Sequence, residues 1–434
     1  KLFFYSTNKQ SPVVNFKTAT LNGQAPDKGL YFPEKIHIHS TEWIKNISHA
    51  SNEAIAYTAI KPYVGDTIPN GILQAIVAET ISFPIPLVEI NSQISSLELF
   101  HGPTLAFKDV GARFMSRCLG YFAKNITKKI MVLVATSGDT GGAVANGFYN
   151  VPGIDVVILY PSGKVSTVQE KQLTTIGKNI KALEVKGSFD DCQAMVKDIF
   201  SRSWDFPGLF LTSANSINVA RWLPQQFYYF FACKQWKKEY GIPVIAVPSG
   251  NFGNICAGLV AKVSGLPVKH FIAACNANNT VPEFFKTGNI NPKSTIATIS
   301  NAMDVSNPSN FVRILELFQH QIPELKKSIS AYSISDSETK ETIISTYKKY
   351  GYLLDPHGAV GFFAMEKYLQ QYPQAKGFIV ETAHPVKFYD VVESLINEPV
   401  PVPNNIQSIH SLEKQSTVIE NNVEELAAIL KKMN

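Results

Sequence analysis

The chain contains 434 residues, of which 45% are hydrophobic and 17% charged, and it carries a formal net charge of +5. This length and hydrophobic share can bury a large core and favour two or three domains over one. The sequence has no apolar run near the roughly 20 residues of a membrane helix, and no block of Lys and Arg that would indicate a nucleic-acid partner.

The first residues and the cysteines give expectations about the compartment. Residues 1–8 turn polar too soon for a signal peptide, whose apolar region runs over roughly 7 to 15 residues. The five cysteines are far apart and form no C-x-x-C pair, so neither a disulfide framework nor a zinc site is predicted. His37 and His39 share one face of an extended segment but lack an acidic or Cys partner, so we predict no metal. We expect a soluble cytoplasmic protein.

The hydrophobic pattern predicts helices and strands in alternation along most of the chain. Helical spacing over Thr41–Tyr57 and Asn70–Ile81 predicts a mainly helical N-terminal module. Short β-branched apolar runs predict strands at 129–136, Val156–Leu159, Ile180–Val185, Val244–Pro248, His270–Cys275 and Gly377–Val380. Helices are predicted at 139–149, after Gly187, at 255–261, and at Glu338–Tyr350, Gly358–Gln371 and Val423–Met433. This alternation predicts an α/β fold with parallel sheets, and the proline-spotted segment Asn397–Asn405 predicts a linker.

Two of the predicted strands end in glycine-rich turns that each open a helix. The first turn is Ser137-Gly138-Asp139, and the second is the segment 249–254. Free backbone N–H groups and the helix dipole favour an anion at such a turn, and phosphate is the obvious candidate. One turn alone is better explained by a tight chain reversal, whereas two turns rich in Ser, Thr and Asn favour a binding site. Neither turn matches a P-loop or G-x-G-x-x-G, which disfavours nucleoside triphosphates and dinucleotides.

Several segments together resemble the threonine synthases, which belong to the fold-type II (tryptophan synthase β-like) enzymes that use pyridoxal 5′-phosphate (PLP). The resemblance extends over nearly the whole chain, in the order of the family. The segments that carry it are Gly29–Pro33, Leu97–Asp109, Thr136–Gly141, Ser213–Asn218, Ser249–Asn254, Asn301–Ser306 and Glu381–Pro385.

This resemblance assigns the cofactor contacts. It implies that Lys108 binds the PLP aldehyde covalently and then moves the protons of the substrate. Leu105, Ala106 and Phe107 precede this lysine, and apolar surroundings would lower its pKa; by itself, however, the residue pattern does not distinguish it from a surface lysine. Thr382 matches the residue that faces the pyridine nitrogen. The expected cradle for the PLP phosphate is Gly250, Asn251, Phe252, Gly253 and Asn254.

The resemblance also implies a substrate site with two anion-binding parts. Asn215, Ser216 and Arg221, with Asn251, match the set that binds the phosphate of the substrate, and Arg offers a planar fork for phosphate oxygens. Asp139 stands where many relatives outside the threonine synthases carry Asn. The turn expected to bind the α-carboxylate consists of Thr136, Ser137, Gly138, Asp139 and Thr140.

The activity that the resemblance implies is the last step of threonine biosynthesis, in which a lyase converts O-phosphohomoserine and water to threonine and phosphate. The expected domains are a module over 1–95, a smaller α/β domain over 96–220 with the PLP lysine and substrate turn, and a larger α/β domain over 221–434 with the PLP phosphate turn and the C-terminal helix. We expect a monomer.

Three alternatives stay open at this point. Another fold-type II enzyme, such as a serine/threonine dehydratase or a cysteine synthase, would need no second phosphate site. A related protein could eliminate phosphate only, giving 2-oxobutyrate and ammonia. A non-catalytic PLP-binding or scaffold protein is the third alternative, and the intact motifs at Lys108, Gly250–Asn254 and Thr382 argue against it.

Overall fold

The architecture rests on thirteen strands and nineteen α-helices in a computed structural model that describes residues 1–434. The strands are β1 (Phe4–Ser6), β2 (Tyr31–Pro33), β3 (Leu87–Glu89), β4 (Ile94–Glu98), β5 (Lys129–Ala135), β6 (Ile154–Pro161), β7 (Ile180–Lys186), β8 (Leu209–Ser213), β9 (Val244–Pro248), β10 (His270–Cys275), β11 (Ile329–Ser333), β12 (Gly377–Glu381) and β13 (Ser416–Glu420). Short apolar, β-branched runs such as β5 are buried over nearly their whole length, as central strands covered on both faces require.

Nine of the nineteen helices begin at a side chain that accepts a hydrogen bond from the first turn. Complete capping boxes are formed by Ser166 with Gln169, Ser188 with Asp191, and Ser335 with Glu338. The helices are α1 (Phe16–Asn22), α2 (Thr41–Lys45), α3 (Asn52–Val64), α4 (Asn70–Thr80), α5 (Lys108–Ala123), α6 (Asp139–Phe148), α7 (Thr167–Thr174), α8 (Phe189–Ser201), α9 (Val219–Trp222), α10 (Gln226–Gln235), α11 (Gly253–Val263), α12 (Thr280–Thr287), α13 (Phe311–Leu317), α14 (Ile322–Ser328), α15 (Asp336–Tyr350), α16 (Pro356–Gln371), α17 (Tyr389–Ile396), α18 (Asn404–His410) and α19 (Val423–Lys432).

The strands form two large open sheets and one small two-stranded antiparallel sheet, in which β1 pairs with β2. One sheet has six strands in the order β11-β10-β9-β12-β4-β3, parallel except for β3. The other has five strands in the order β13-β7-β6-β5-β8, all parallel. The predicted α/β fold with two parallel sheets is therefore confirmed. A hydrophobic cluster of 72 buried residues joins the N-terminal helices to both sheets.

The sheets do not divide the chain at the points that were expected for the domains. Strand β4 lies in the six-stranded sheet although it straddles the expected start of the smaller domain near residue 96. Strand β13, near the C-terminus, pairs with β7 in the five-stranded sheet, and α19 packs on the same sheet. Sequence periodicity did not indicate β13, because its residues are mostly exposed at a sheet edge.

One predicted helix and one predicted linker differ from the observed structure. The predicted helix Thr41–Tyr57 is interrupted, because Ser51 caps a new helix by accepting a hydrogen bond from the backbone N–H of Ala54. The resulting helix α3 continues to Val64. The predicted linker Asn397–Asn405 is shorter than expected, since α18 begins at Asn404.

The carboxyl ends of five strands converge on one crevice. Strands β4, β9 and β12 of the six-stranded sheet and β5 and β8 of the five-stranded sheet each end where a predicted site segment begins. Open α/β sheets bind ligands in the crevice outside the carboxyl ends of their strands. The topology therefore brings together segments that are far apart in the sequence.

Candidate active site

The predicted cofactor residues and part of the predicted substrate set line one cavity. Its wall contains Lys108 and Thr382, the turn 250–254, and Ser216, Arg221 and Asp139. Two of its other wall residues are His357 and Gln225. Of the predicted substrate residues, Asn215 and four members of the turn Thr136–Thr140, all except Asp139, do not line this cavity.

Lys108 reaches the cavity because its segment pairs with the chain that leaves β12. The backbone N–H of Phe107 donates to the carbonyl oxygen of Thr382 at 2.9 Å, and Ala106 forms an antiparallel bridge with Ala383. Helix α5 then begins at Lys108 itself. This pairing places the lysine beside Thr382, as the predicted cofactor site requires.

The amine of Lys108 is buried, which changes its protonation. Lys108 is only 9% exposed. Burial lowers the pKa of Lys108 to about 8; the charge of Asp139 opposes this shift, and the charge of Arg221 adds to it. At pH 7 such a pKa leaves about one amine in ten neutral, against fewer than roughly one in a thousand for an ordinary lysine. The site therefore favours the nucleophilic form of the amine.

The turn before Lys108 is stabilised by Asp109, the residue that follows the lysine. Asp109 accepts hydrogen bonds from the backbone N–H of Thr104 at 2.9 Å and from its hydroxyl at 2.6 Å. Between them, Leu105 has a φ of 60°, a left-handed conformation that a branched residue rarely adopts. Such strain persists only where surrounding contacts impose it, and it is common at functional sites.

The turn after β9 fits the phosphate of PLP. Phe252 has a φ of 67°, and helix α11 then starts at Gly253, so successive N–H groups face the cavity at a helix N-terminus. A Cβ at Gly250 would lie 3.0 Å from the Cα of Met303, so only glycine allows this close approach. The buried Oδ1 of Asn251 has no hydrogen-bond partner within the protein. The backbone N–H cradle at the helix start is suited to an anion, whereas the free Oδ1 of Asn251 is an acceptor and would pair with a donor.

The turn after β5 is stabilised by its own threonine. The hydroxyl oxygen of Thr136 accepts from the backbone N–H groups of Gly138 at 3.0 Å and Gly141 at 2.8 Å. Ser137 extends toward the other sheet and donates to the carbonyl oxygen of Ala302 at 3.5 Å. These contacts give the turn its shape and present Asp139 to the cavity.

Asp139 forms a buried ion pair with Lys387 that the sequence did not reveal. The Oδ1 of Asp139 lies 2.6 Å from the Nζ of Lys387, and the two side chains are 3% and 0% exposed. Burial by itself would raise the pKa of Asp139, but the charges of Lys387 and Lys108 outweigh burial and lower this pKa to about 2. Lys387 also donates to the carbonyl oxygen of Thr104 at 3.0 Å. The pair links the five-stranded sheet to the segment after β12.

Arg221 is a buried cation with free hydrogen-bonding capacity. It is 1% exposed, it donates to the carbonyl oxygen of Ala214, and its Nε has no partner. Burial lowers the pKa of Arg221 to about 10, so it remains charged at neutral pH. A Cβ at Gly111 would lie 2.4 Å from its carbonyl oxygen, which shows how closely α5 approaches α9. Arg221 and Lys108 are thereby brought to one cavity.

His357 also lines the cavity, although it is not among the site residues that the resemblance assigned. Its Nε2 accepts from the backbone N–H of Ala302 at 3.1 Å, so its Nδ1 carries the proton and donates to Asp355 at 2.6 Å. Asp355 is next to Glu381, whose pKa is raised well above its usual value by burial and by the charge of Asp355. This raised pKa favours the neutral form of Glu381, the residue before Thr382. The only sequence signal for this group was Asp355-Pro356, a helix start.

Comparisons with known proteins agree with this geometry. The family described as pyridoxal-phosphate dependent enzyme matches residues 86–381, and those described as threonine synthase N terminus and threonine synthase, C-terminal match residues 3–81 and 358–430. The threonine synthase of Escherichia coli is 43% identical over 403 residues, which cover 93% of each chain. The chain belongs to the threonine synthase family. It is a PLP-dependent enzyme of fold type II.

Solved structures of threonine synthases have the same fold throughout. The crystal structure of the Escherichia coli threonine synthase superimposes with a TM-score of 0.94 at 40% identity and covers 100% of both chains. The PLP-bound threonine synthase from Brucella melitensis gives a TM-score of 0.91 at 33% identity, with 100% of this chain and 99% of that chain covered. The resemblance stated from the sequence motifs is thereby confirmed.

Other features of the structure bear on membranes and metals. No helix has the length and apolar character needed to cross a membrane, and no group of three His, Cys, Asp or Glu side chains is arranged to hold a metal ion. His37 and His39 lie with their ring centroids 4.9 Å apart, and His39 packs against Trp43 and Phe230. This histidine pair belongs to an aromatic cluster.

Proposed function

We propose that this enzyme converts O-phosphohomoserine and water to threonine and phosphate in the cavity around Lys108. The observation that carries the proposal is Arg221, a buried cation without a carboxylate partner that faces the same cavity as the turn 250–254. One anion site suits the phosphate of the cofactor. The second suits a phosphate on the substrate, which most other fold-type II reactions do not require.

We assign the cofactor contacts to residues whose geometry fits them. Bound PLP supplies an electron-withdrawing ring that acidifies C–H bonds of an attached amino acid. Lys108 holds the cofactor through its amine, and the N–H groups of the turn 250–254 hold its phosphate. Thr382 presents a hydroxyl, which does not keep the ring nitrogen protonated as a negatively charged carboxylate partner would.

We assign the proton steps to Lys108 because its amine is buried and its pKa lies near neutrality. The reaction removes protons from the α- and β-carbons, breaks the bond between the γ-carbon and the phosphate oxygen, and adds the hydroxyl of water at the β-carbon. Of the three protons released, including one from water, one is delivered to the γ-carbon, one returns to the α-carbon and one goes to the departing phosphate. A group with a pKa of about 8 can both accept and return protons at working pH. The α-carboxylate of the substrate binds in this proposal at the turn Thr136–Thr140, where Asp139 is kept ionised by Lys387.

Arg221 is assigned to the phosphate that leaves, with Asn215, Ser216 and Asn251. A cation in a buried site stabilises the dianion as its charge develops, so it affects turnover as well as binding. We expect Arg221→Ala to lower kcat/KM for O-phosphohomoserine by about a hundredfold or more, measured by phosphate release. Arg202→Ala, at an exposed arginine, is the control and should leave kcat/KM unchanged. Equal activity of Arg221→Ala and the control would contradict the assignment.

Product analysis separates this reaction from its rivals. Incubation of the purified holoenzyme with O-phosphohomoserine should give threonine and phosphate in equal amounts. Formation of phosphate with 2-oxobutyrate and ammonia would identify an elimination enzyme instead. Turnover of serine or threonine without use of O-phosphohomoserine would identify a dehydratase. Absence of turnover with all of these substrates would indicate a protein that binds PLP without catalysing a reaction.

The pKa of Lys108 predicts how PLP binding depends on pH. Only the neutral amine attacks the aldehyde, and burial lowers this pKa to about 8 from 10.5. The rate of PLP incorporation into the apoenzyme should therefore rise with pH up to a midpoint near 8 and level off above it. Stopped-flow absorbance at several pH values measures this rate. A rate that still increases tenfold between about pH 9 and 10 would show an ordinary lysine pKa.

Two further expectations belong to this proposal. We propose a monomer, which sedimentation equilibrium of the holoenzyme would test. We also propose a reducing, cytoplasmic location, because all five cysteines are unpaired and four of them are buried. Cell fractionation that placed the enzyme in an oxidising compartment would contradict it.

A further inference from the structure

Arg313 is a fully buried guanidinium that the reaction does not use directly. It is 0% exposed, and no carboxylate lies within ion-pair distance of it. Its partners are the carbonyl oxygen of Tyr31, at 2.7 and 3.1 Å, the carbonyl oxygen of Ile217 at 2.6 Å, and the Oδ1 of Asn310 at 2.6 Å. Its guanidinium also lies over the ring of Trp222, 5.0 Å from the centroid. Burying an uncompensated charge is unfavourable. The burial of Arg313 therefore indicates that the structure requires a guanidinium at this position.

Asn310 extends this network to both anion-binding turns. Its Nδ2 donates to the carbonyl oxygen of Ser216 at 3.2 Å, and its backbone N–H donates to the carbonyl oxygen of Asn251 at 3.1 Å. A Cβ on Gly253 would lie 3.3 Å from the same Nδ2. One fully buried asparagine thus contacts the turn 215–218 on one side and the turn 250–254 on the other.

We propose that Arg313 and Asn310 form a positioning pair that sets the separation between the two phosphate-binding turns. The inference rests on the proposed function, since it takes the turn 215–218 as the holder of the substrate phosphate. Arg313 fixes Ile217 directly and orients the side-chain amide of Asn310. Asn310 then joins Ser216 to Asn251. Neither residue lines the cavity, so both act through the turns and not through contact with the reacting atoms.

Asn310→Asp tests the pair with a minimal change. The new carboxylate still accepts from Arg313, and the backbone N–H still donates to Asn251. Only the donation to Ser216 is lost, and a negative charge is added behind the substrate-phosphate turn. Asn289→Asp introduces the same charge at an exposed residue and serves as the matched control.

The expected result is a selective loss of phosphate binding. In the Asn310→Asp holoenzyme, KM for O-phosphohomoserine and the calorimetric dissociation constant of inorganic phosphate should both rise about tenfold or more. The dissociation constant of PLP, and the spectral change with the phosphate-free amino acid L-2-aminobutyrate, should stay within about twofold of the wild type. A purely structural role would weaken all four together.

Unchanged KM and phosphate binding in Asn310→Asp would overturn the inference, and so would an equal weakening of all four quantities. If Asn310→Asp does not fold, Arg313→Lys keeps the charge but loses the fork to Tyr31 and Ile217, and it is judged by the same four measurements. If the wild type binds inorganic phosphate but does not turn over O-phosphohomoserine, the proposed function fails. The calorimetric comparison of phosphate binding by Asn310→Asp and by the wild type would then still test whether Arg313 and Asn310 act as a positioning pair.

Discussion

Replacement of Lys108 by alanine should abolish both the visible absorbance of covalently bound PLP and the formation of threonine. The amine is the only group in the cavity wall that the proposal assigns to covalent attachment and to proton transfer. Loss of both roles should lower kcat by at least roughly 10⁴-fold. The change removes a side chain at the first residue of α5, where it should leave the helix intact. The measurements are the absorbance spectrum of the purified protein and a threonine assay.

Lys124→Ala provides a matched control for this experiment. Lys124 lies at the other end of the same helix and is exposed, so this variant should keep the spectrum and the activity of the wild type. If Lys108→Ala kept either the covalent PLP spectrum or turnover, the assignment of Lys108 would be wrong. Loss of both in Lys108→Ala alone would establish it.

The second large effect is expected at the buried pair of Asp139 and Lys387. Lys387→Met would leave an ionised carboxylate buried without its countercharge, and breaking such a pair from one side costs about 3–5 kcal/mol of stability. The free energy of unfolding of the apoenzyme should fall by that amount in urea. The turn that presents Asp139 should also lose its shape, so KM for O-phosphohomoserine should rise.

The double variant Asp139→Asn with Lys387→Met separates the two consequences. It removes both charges while keeping side chains of similar size, so most of the stability should return. Substrate binding should not return, because the double variant lacks the ionised Asp139 as well as Lys387. Full recovery of KM in the double variant would mean that the pair is needed only for stability. A Lys387→Met variant as stable as the wild type would contradict the ion pair itself.

Local sequence patterns predicted the parts of the fold that depend on neighbouring residues. The central strands β5 and β9 are short apolar runs that end in glycine turns, and both were found at the predicted places. The identity of Lys108 did not follow from such patterns. It depended on the resemblance to a family, because the apolar residues before a lysine do not distinguish a buried amine from an exposed one.

Contacts between distant segments could not be predicted in the same way. Lys387 lies within the proline-containing 3₁₀ turn Pro385–Phe388 and resembles any surface lysine in the sequence, yet it is 0% exposed and pairs with Asp139. Arg313 likewise gave no signal, because three of its four hydrogen bonds go to backbone carbonyl groups, which no sequence pattern marks. Strand β13 was missed because an exposed edge strand needs only one apolar face.

The position of β13 has a consequence for how the enzyme is made on the ribosome. Lys108 and strands β5 to β8 are synthesised before Thr382, Lys387 and β13. Domains generally begin to fold as they emerge, from the N-terminal side. A nascent chain therefore exposes the edge of β7 until β13 has been made, and it holds Asp139 without its countercharge until Lys387 has been made. The proposed cofactor site is likewise incomplete until Thr382 has been translated.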